Sequence, residues 1–325
     1  MADPVAVKLA RPAMATFFEL LLWGEDRDYL RSVGEEALDE IEWLEQQLSL
    51  FIPTSEVAAV NVRAGQGPVR VGVELFQLLR HAADLTVRTG GAFDVTAGLL
   101  SECWGFHVGQ VRIPVDAELQ GVLDLVGMAK VLLSDDERTV RFERDGMFID
   151  LGGIGKGSAV ERAAGTIREY DIGGALVHGG TSTIYGVGTP PDRDAWPIGI
   201  LHPLEPDRRL GCVRLCDQAL STSKGSGRSV RIDGEQYGHL IDPRTGRPAN
   251  GLLSAAAICP SPTEADALST AFAILGIEET EDYCDRHPGV GAIVMFRPDN
   301  DGPVRTKVIG AVAEEAYSEL EPAHL

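Results

Sequence analysis

The sequence predicts an α/β chain of the α+β kind, with a mixed sheet. Three observations carry this. Some stretches repeat apolar residues at three and four positions, the period of a helix with one buried face. Others alternate apolar and polar residues, the period of a strand. The two kinds follow one another without a strict strand–helix–strand rhythm, which disfavours a doubly wound parallel sheet. No Gly-x-Gly-x-x-Gly turn follows a first strand and no Walker loop exists, so the usual nucleotide folds are disfavoured too.

Taken in order, residues 14–24 read as the first strand. An amphipathic helix follows over 28–50, with Leu30, Val33, Ala37, Ile41, Leu44 and Leu48 on its apolar face. A second helix covers 73–88 and stops at Thr89-Gly90-Gly91. Residues 100–130 show no clean period. Short alternating strands occupy 130–150, and a helix runs from near Lys156 to about Tyr170. Strands dominate 175–241, in the segments ALVHGG, TIYGVG, WPIGIL, CVRLC and SVRI. The last third holds a strand over 254–259, helices over 263–276 and 279–287, and a final strand pair.

The 325 residues carry 29 Lys and Arg against 49 Asp and Glu, a net charge of −20. Such a chain is repelled by a phosphate backbone and by an anionic membrane, so no nucleic-acid partner is expected. With 44% hydrophobic and 24% charged residues it has the apolar surface to fold. The length suits one domain over 1–325, allowing two intimately packed subdomains. The apolar stretch 17–23 is interrupted by Glu19 and is far shorter than the roughly 20 residues that span a bilayer. No leader or lipid-bearing cysteine is evident, and the five cysteines are odd in number and widely spaced. The expectation is a cytoplasmic protein with no membrane insertion. Cys212 and Cys216 lack partners at zinc spacing.

Four clusters of Gly, Asp, Thr and His stand out against the apolar strands. Gly90-Gly91-Ala92-Phe93-Asp94-Val95-Thr96 reads as a helix end followed by a turn, with Phe93 a core candidate. Asp150-Leu151-Gly152-Gly153-Ile154-Gly155-Lys156-Gly157 leads into a helix, where exposed N–H groups and a lysine suit an anion. Tyr237 to Gly246 places His239, a candidate base, just before an Asp-Pro turn. In Pro262 to Thr270, Asp266 and Thr270 are four apart on one helix face and, with Ser269, suit a hard cation such as Mg²⁺. The plainer reading of that cluster is a capping box, Thr263-x-x-Asp266. Together the clusters supply the parts for metal-assisted chemistry on a pyrophosphate.

These clusters, as GGAFDVTAG (90–98), DLGGIGKG (150–157), HLIDPRTGRP (239–248) and EADALSTAFAILG (264–276), make the chain resemble the ApbE family of flavin transferases. The resemblance runs from about Ala13 to Gly276. It implies a duplicated T-fold-like core and a Mg²⁺-dependent reaction on FAD. FMN would pass to a Thr or Ser hydroxyl of an acceptor flavoprotein, with release of AMP. It also implies roles. Met14, Ala92, Phe93 and Asp94 would contact the flavin, and Asp150, Lys156, Gly179, Gly180 and Ile241 the FAD. Lys156 would lie near the phosphates. The Gly153 carbonyl with Asp266, Ser269 and Thr270 would form the metal set, and His239 would be the base. Where family members often carry Asn and Gly-Gly-Asp/Asn, this chain has Val177-His178-Gly179-Gly180-Thr181-Ser182 and lacks the carboxylate. The same residues would serve an FAD pyrophosphatase with water as acceptor. A non-catalytic FAD-binding protein is the third alternative.

Overall fold

A computed structural model describes residues 4–106, 109–225, 229–232, 235–298 and 302–319. The chain divides into two compact units. The first comprises Met1–Leu44, Gly155–Lys224 and Gly251–Leu325, the second Glu45–Ile154 and Gly225–Asn250.

The first unit is built on an eight-stranded sheet. Its strands are Val5–Ala13, Thr16–Gly24, Gly174–Gly179, Thr183–Gly188, Gln218–Lys224, Leu252–Cys259, Gly291–Phe296 and Arg305–Ile309. They lie side by side in chain order, and every neighbouring pair is antiparallel. Such pairs need no crossover helix, so the chain can leave the sheet between neighbours and return. Both segments of the second unit are excursions of this kind.

Strand alternation sorts the two faces. Ala256, Ile258, Ile293 and Met295 join Trp196, Ile198, Val213 and Leu215 in one core layer. There the sheet meets a smaller one of Trp196–Leu201, Arg209–Leu215 and Tyr317–Glu319. The opposite face takes helices Arg27–Leu48, Gly155–Arg168 and Pro262–Arg286. Leu9 and Leu22 face the first of these, so closely that a Cβ at Gly34 would overlap Leu9. On its outer side Arg11 bridges Glu35, Asp39 and Glu42.

The first strand of the sheet, Val5–Ala13, was not expected from the sequence. It pairs with Thr16–Gly24 through a two-residue turn at Met14 and Ala15, which have φ of 50° and 56°. Left-handed residues in succession are the mark of a hairpin turn normally made by Asn-Gly, and here no such pair signals it. The C-terminal pair of helices is seen as one helix with a break at Gly276 (φ 78°, ψ −166°), as the two-helix reading implies.

The second unit holds helices Glu56–Arg63, Val73–Arg88, Gly98–Cys103 and Asp116–Leu123. A three-stranded sheet of Val69–Arg70, Thr139–Phe142 and Val131–Ser134 accompanies them, with hairpins Ser229–Ile232/Glu235–Gly238 and Ile241–Asp242/Arg247–Pro248. The aperiodic residues 100–130 thus conceal two short helices. Leu100, Trp104, Leu119, Val126 and Ile241 share a core, which ties the second hairpin to those helices. Residues 147–150 form no strand, although their sequence alternates. The Asn61 side chain instead gives and takes the backbone bonds of Ile149, at 2.9 and 2.8 Å.

Among the described residues no helix is long and apolar enough to cross a membrane.

Candidate functional site

The four sequence clusters assemble into two groups, one within each unit. In the first unit the centre is Asp266, 4% exposed. Its Oδ2 accepts the Gly157 N–H at 2.9 Å and lies 3.8 Å from Lys156 Nζ. Its Oδ1 accepts from Thr183 at 3.1 Å and Ser221 at 3.3 Å, two buried hydroxyls that stand opposite each other on paired strands. The capping-box reading is therefore replaced. Ser261 is the N-cap of helix Pro262–Arg286, accepting from the Glu264 N–H with Pro262 in the first turn. Asp266 instead reaches across to the start of helix Gly155–Arg168.

This also revises the reading of the lysine turn. The sequence suggests N–H groups open to a ligand anion, yet the protein's own carboxylate takes the Gly157 N–H. A lysine in a first helical turn is electrostatically unfavourable on its own. The neighbouring carboxylate explains why Lys156 is tolerated there.

Gly157 is where the two helices touch. A Cβ at this position would stand 2.3 Å from the Pro262 carbonyl oxygen and 2.7 Å from Asp266 Cβ. Neither is the far end of a flexible chain, so the helices must part. Gly157→Ala is expected to destabilise the protein by about 1–3 kcal/mol, the usual cost of overpacking. Denaturant unfolding checks this, and an unchanged midpoint would show that the contact is soft.

Gly179 and Gly180 link this centre to the Met14 turn. Gly179 lies against Val160 of the lysine helix and the Phe18 ring. Gly180 has φ +66° and approaches Thr16 so closely that a Cβ would fall 2.5 Å from its Oγ1. Both the conformation and the space call for glycine. Thr16 is the residue that follows the turn in which Met14 and Ala15 take positive φ, so these glycines meet the strand that leaves that turn. The neighbouring His178 is mostly buried, and loss of hydration holds its imidazole below the usual range, partly opposed by Glu19.

In the second unit, Asp150 donates its N–H to the Val95 carbonyl and accepts the Gly152 N–H on Oδ1, at 2.7 and 2.8 Å. This joins the DLGG turn to GGAFDVT. Asp94 spends both carboxylate oxygens locally, on Thr96 and on the Met128 N–H. The side chains of Ala92 and Phe93 are buried, at 0% and 4% exposure. The Arg244 side chain lies over Gly91 and forks onto the Asp242 carboxylate at 2.9 Å. Trp104 Nε1 donates to the Gly246 carbonyl at 2.8 Å, and the Ala249 N–H to that of Leu240. Ile241 is thus carried on a hairpin braced from several sides, with His239 in the bend two residues before its first strand. Gly153 lies in the last turn of this unit, just before the chain enters the lysine helix.

Residues 14–294 match the family model for the ApbE family. The chain belongs to the ApbE family. It is similar to the FAD:protein FMN transferase of Treponema pallidum, with 31% identity over 281 residues, 81% of this chain and 77% of that one. It is also similar to the FAD:protein FMN transferase of Escherichia coli K12, with 26% identity over 301 residues, 89% of this chain and 83% of that one. The crystal structure of the ApbE protein from Thermotoga maritima superposes with a TM-score of 0.84 and 27% identity, covering 98% of this chain and all of that one.

The sequence reading missed three hydroxyls, those of Thr183, Ser221 and Ser223. Ser221 and Ser223 are two apart on one strand and so share a face. They pair with Ala257 and Ala255 on the face that carries the helices. Hydroxyls at alternate positions beside an alanine-rich buried strand are the signal that was available.

Proposed function

We propose that this chain transfers FMN from FAD to a Thr or Ser hydroxyl of an acceptor protein, releasing AMP. Membership of the family and the names of its relatives support the reaction. The observation that carries the site is the buried Asp266 carboxylate among hydroxyls and beside Lys156.

That donor set fits Mg²⁺. Asp266, Ser269 and Thr270 offer only oxygen, as a hard cation prefers. The charge balance points the same way. Lys156 is offset by Asp266, so the pair adds no net positive charge for a pyrophosphate in a chain of −20. We assign the ion to Asp266, Thr270 and the Gly153 carbonyl, with Ser269 placed next to it. When bound, Mg²⁺ supplies the charge that stabilises phosphate oxygens as the bond breaks.

The chain's own groups do the rest. Lys156 binds the phosphates. Met14, Gly179, Gly180, the 92–94 segment, Asp150 and Ile241 orient the FAD. His239 takes the acceptor hydroxyl's proton, so that its oxygen attacks the FMN phosphorus. The bond from that phosphorus to the bridging oxygen breaks, and this oxygen leaves with AMP.

Incubation with FAD, Mg²⁺ and a Thr-bearing acceptor peptide tests the assignment. AMP together with peptide-bound FMN is the expected result. AMP with free FMN alone would make the chain an FAD pyrophosphatase. Tight FAD binding without AMP would leave a non-catalytic flavin-binding protein.

A further inference from the structure

Beneath Thr270 lies a run of hydroxyls whose protons can be placed by counting. Ser269 Oγ is 2.9 Å from the Asp266 carbonyl oxygen. A carbonyl only accepts, so Ser269 donates there and its single proton is used. Ser269 is fully buried, and its Oγ is also 2.8 Å from Ser223 Oγ. In that contact Ser269 can only accept, so Ser223 donates. Ser223 Oγ is in turn 3.1 Å from Thr270 Oγ1. With its own proton committed, Ser223 accepts, and Thr270 donates. The fixed carbonyl at one end therefore orients every hydroxyl along the chain Thr270, Ser223, Ser269, Asp266. Ser223 is itself held in place, since Ser254 Oγ donates to its carbonyl at 3.2 Å.

The consequence falls on Thr270. Its only proton is directed at Ser223, and Oγ1 is left with lone pairs. A hydroxyl can ligate a cation only through a lone pair, and a proton free to rotate toward the ion opposes binding. We propose that Ser223 and Ser269 are positioning residues that hold Thr270 as a lone-pair donor for the divalent cation. This rests on the assignment of Asp266 and Thr270 as cation ligands made above. Ser269 then acts through Thr270 rather than touching the ion. Ser223 lies outside the four sequence clusters altogether.

The test uses the full chain and Mn²⁺ as probe, with bound ion measured by electron paramagnetic resonance in the absence of FAD. Ser223→Ala is expected to bind Mn²⁺ about 10-fold more weakly, the lower end of what loss of an outer-shell partner does. Ser269→Ala breaks the next link and is expected to act in the same direction. Ser223→Thr, which keeps a hydroxyl, is expected to restore binding. In turnover, the Mg²⁺ concentration for half-maximal AMP release rises with Ser223→Ala, while kcat at saturating Mg²⁺ stays near wild type. A general loosening of the fold would not give that split. If Asp266→Asn loses Mn²⁺ while both alanine variants bind it as wild type does, the relay is overturned and the cation assignment survives. If Asp266→Asn binds Mn²⁺ like wild type, the cation assignment itself fails, and the relay with it.

Discussion

Asp266→Asn is expected to lower FMN transfer by at least about 10²-fold, the effect of removing one electrostatic stabiliser from a reacting centre. Asparagine matches aspartate in size, so no cavity opens between the two helices. What changes is charge and acceptor capacity. The native carboxylate takes three protein donors, from Gly157, Thr183 and Ser221, and faces Lys156. The neutral amide brings donors of its own, and part of this set is left without an acceptor. Leaving one buried donor unsatisfied costs about 1–3 kcal/mol, so the variant is expected to fold with a lower melting point. The two readouts separate the roles of the residue. AMP release across a Mg²⁺ titration reports the chemistry, and thermal unfolding reports the clamp between helices. A variant that melts early yet releases AMP at the wild-type rate would make Asp266 a structural tie only.

The same residue shows what a sequence can and cannot disclose. Asp266, Thr270 and Lys156 stand out as candidates because they sit in dense polar clusters. The partner of Asp266 does not, because Gly157 lies 109 positions earlier and meets it only once both helices rest on one sheet. The rival capping-box reading followed from local spacing, and it failed because Ser261 and Pro262 start the helix earlier. Thr183, Ser221 and Ser223 were passed over for a related reason. A hydroxyl on a strand reads as a surface residue until the neighbouring element shows that its face is covered. Fold elements divide in the same way. Helix Val73–Arg88 is written in its own periodicity and ends where Thr89 caps it, its hydroxyl bonded to the Leu85 carbonyl and to the Phe93 N–H. The Val5–Ala13 strand hides behind a turn of unusual residues, and the Ile149 backbone finds its partner in a side chain rather than in a strand.

His239→Ala is expected to slow FMN transfer to the acceptor hydroxyl by about 10²–10⁴-fold, the usual worth of general-base help. A neutral Thr hydroxyl is a weak nucleophile, and its proton must leave as the new bond to phosphorus forms. A base serves only if it is held within reach of that proton, so the rigidity of its support matters as much as its basicity. The hairpin that follows His239 has that support. The Ala249 N–H closes onto the Leu240 carbonyl, and the Gly246 N–H onto that of Asp242. Arg244 clamps Asp242 on both carboxylate oxygens, and Trp104 holds the Gly246 carbonyl from the adjoining core. Removing the imidazole leaves this frame intact, so FAD affinity is expected to stay near the wild-type value while kcat falls. Equilibrium binding of FAD and single-turnover transfer to a Thr-bearing peptide measure the two separately. Equal losses in both would make His239 a binding residue. Full loss of transfer with AMP release to water undiminished would show that the base serves the acceptor hydroxyl alone and that pyrophosphate cleavage proceeds without it.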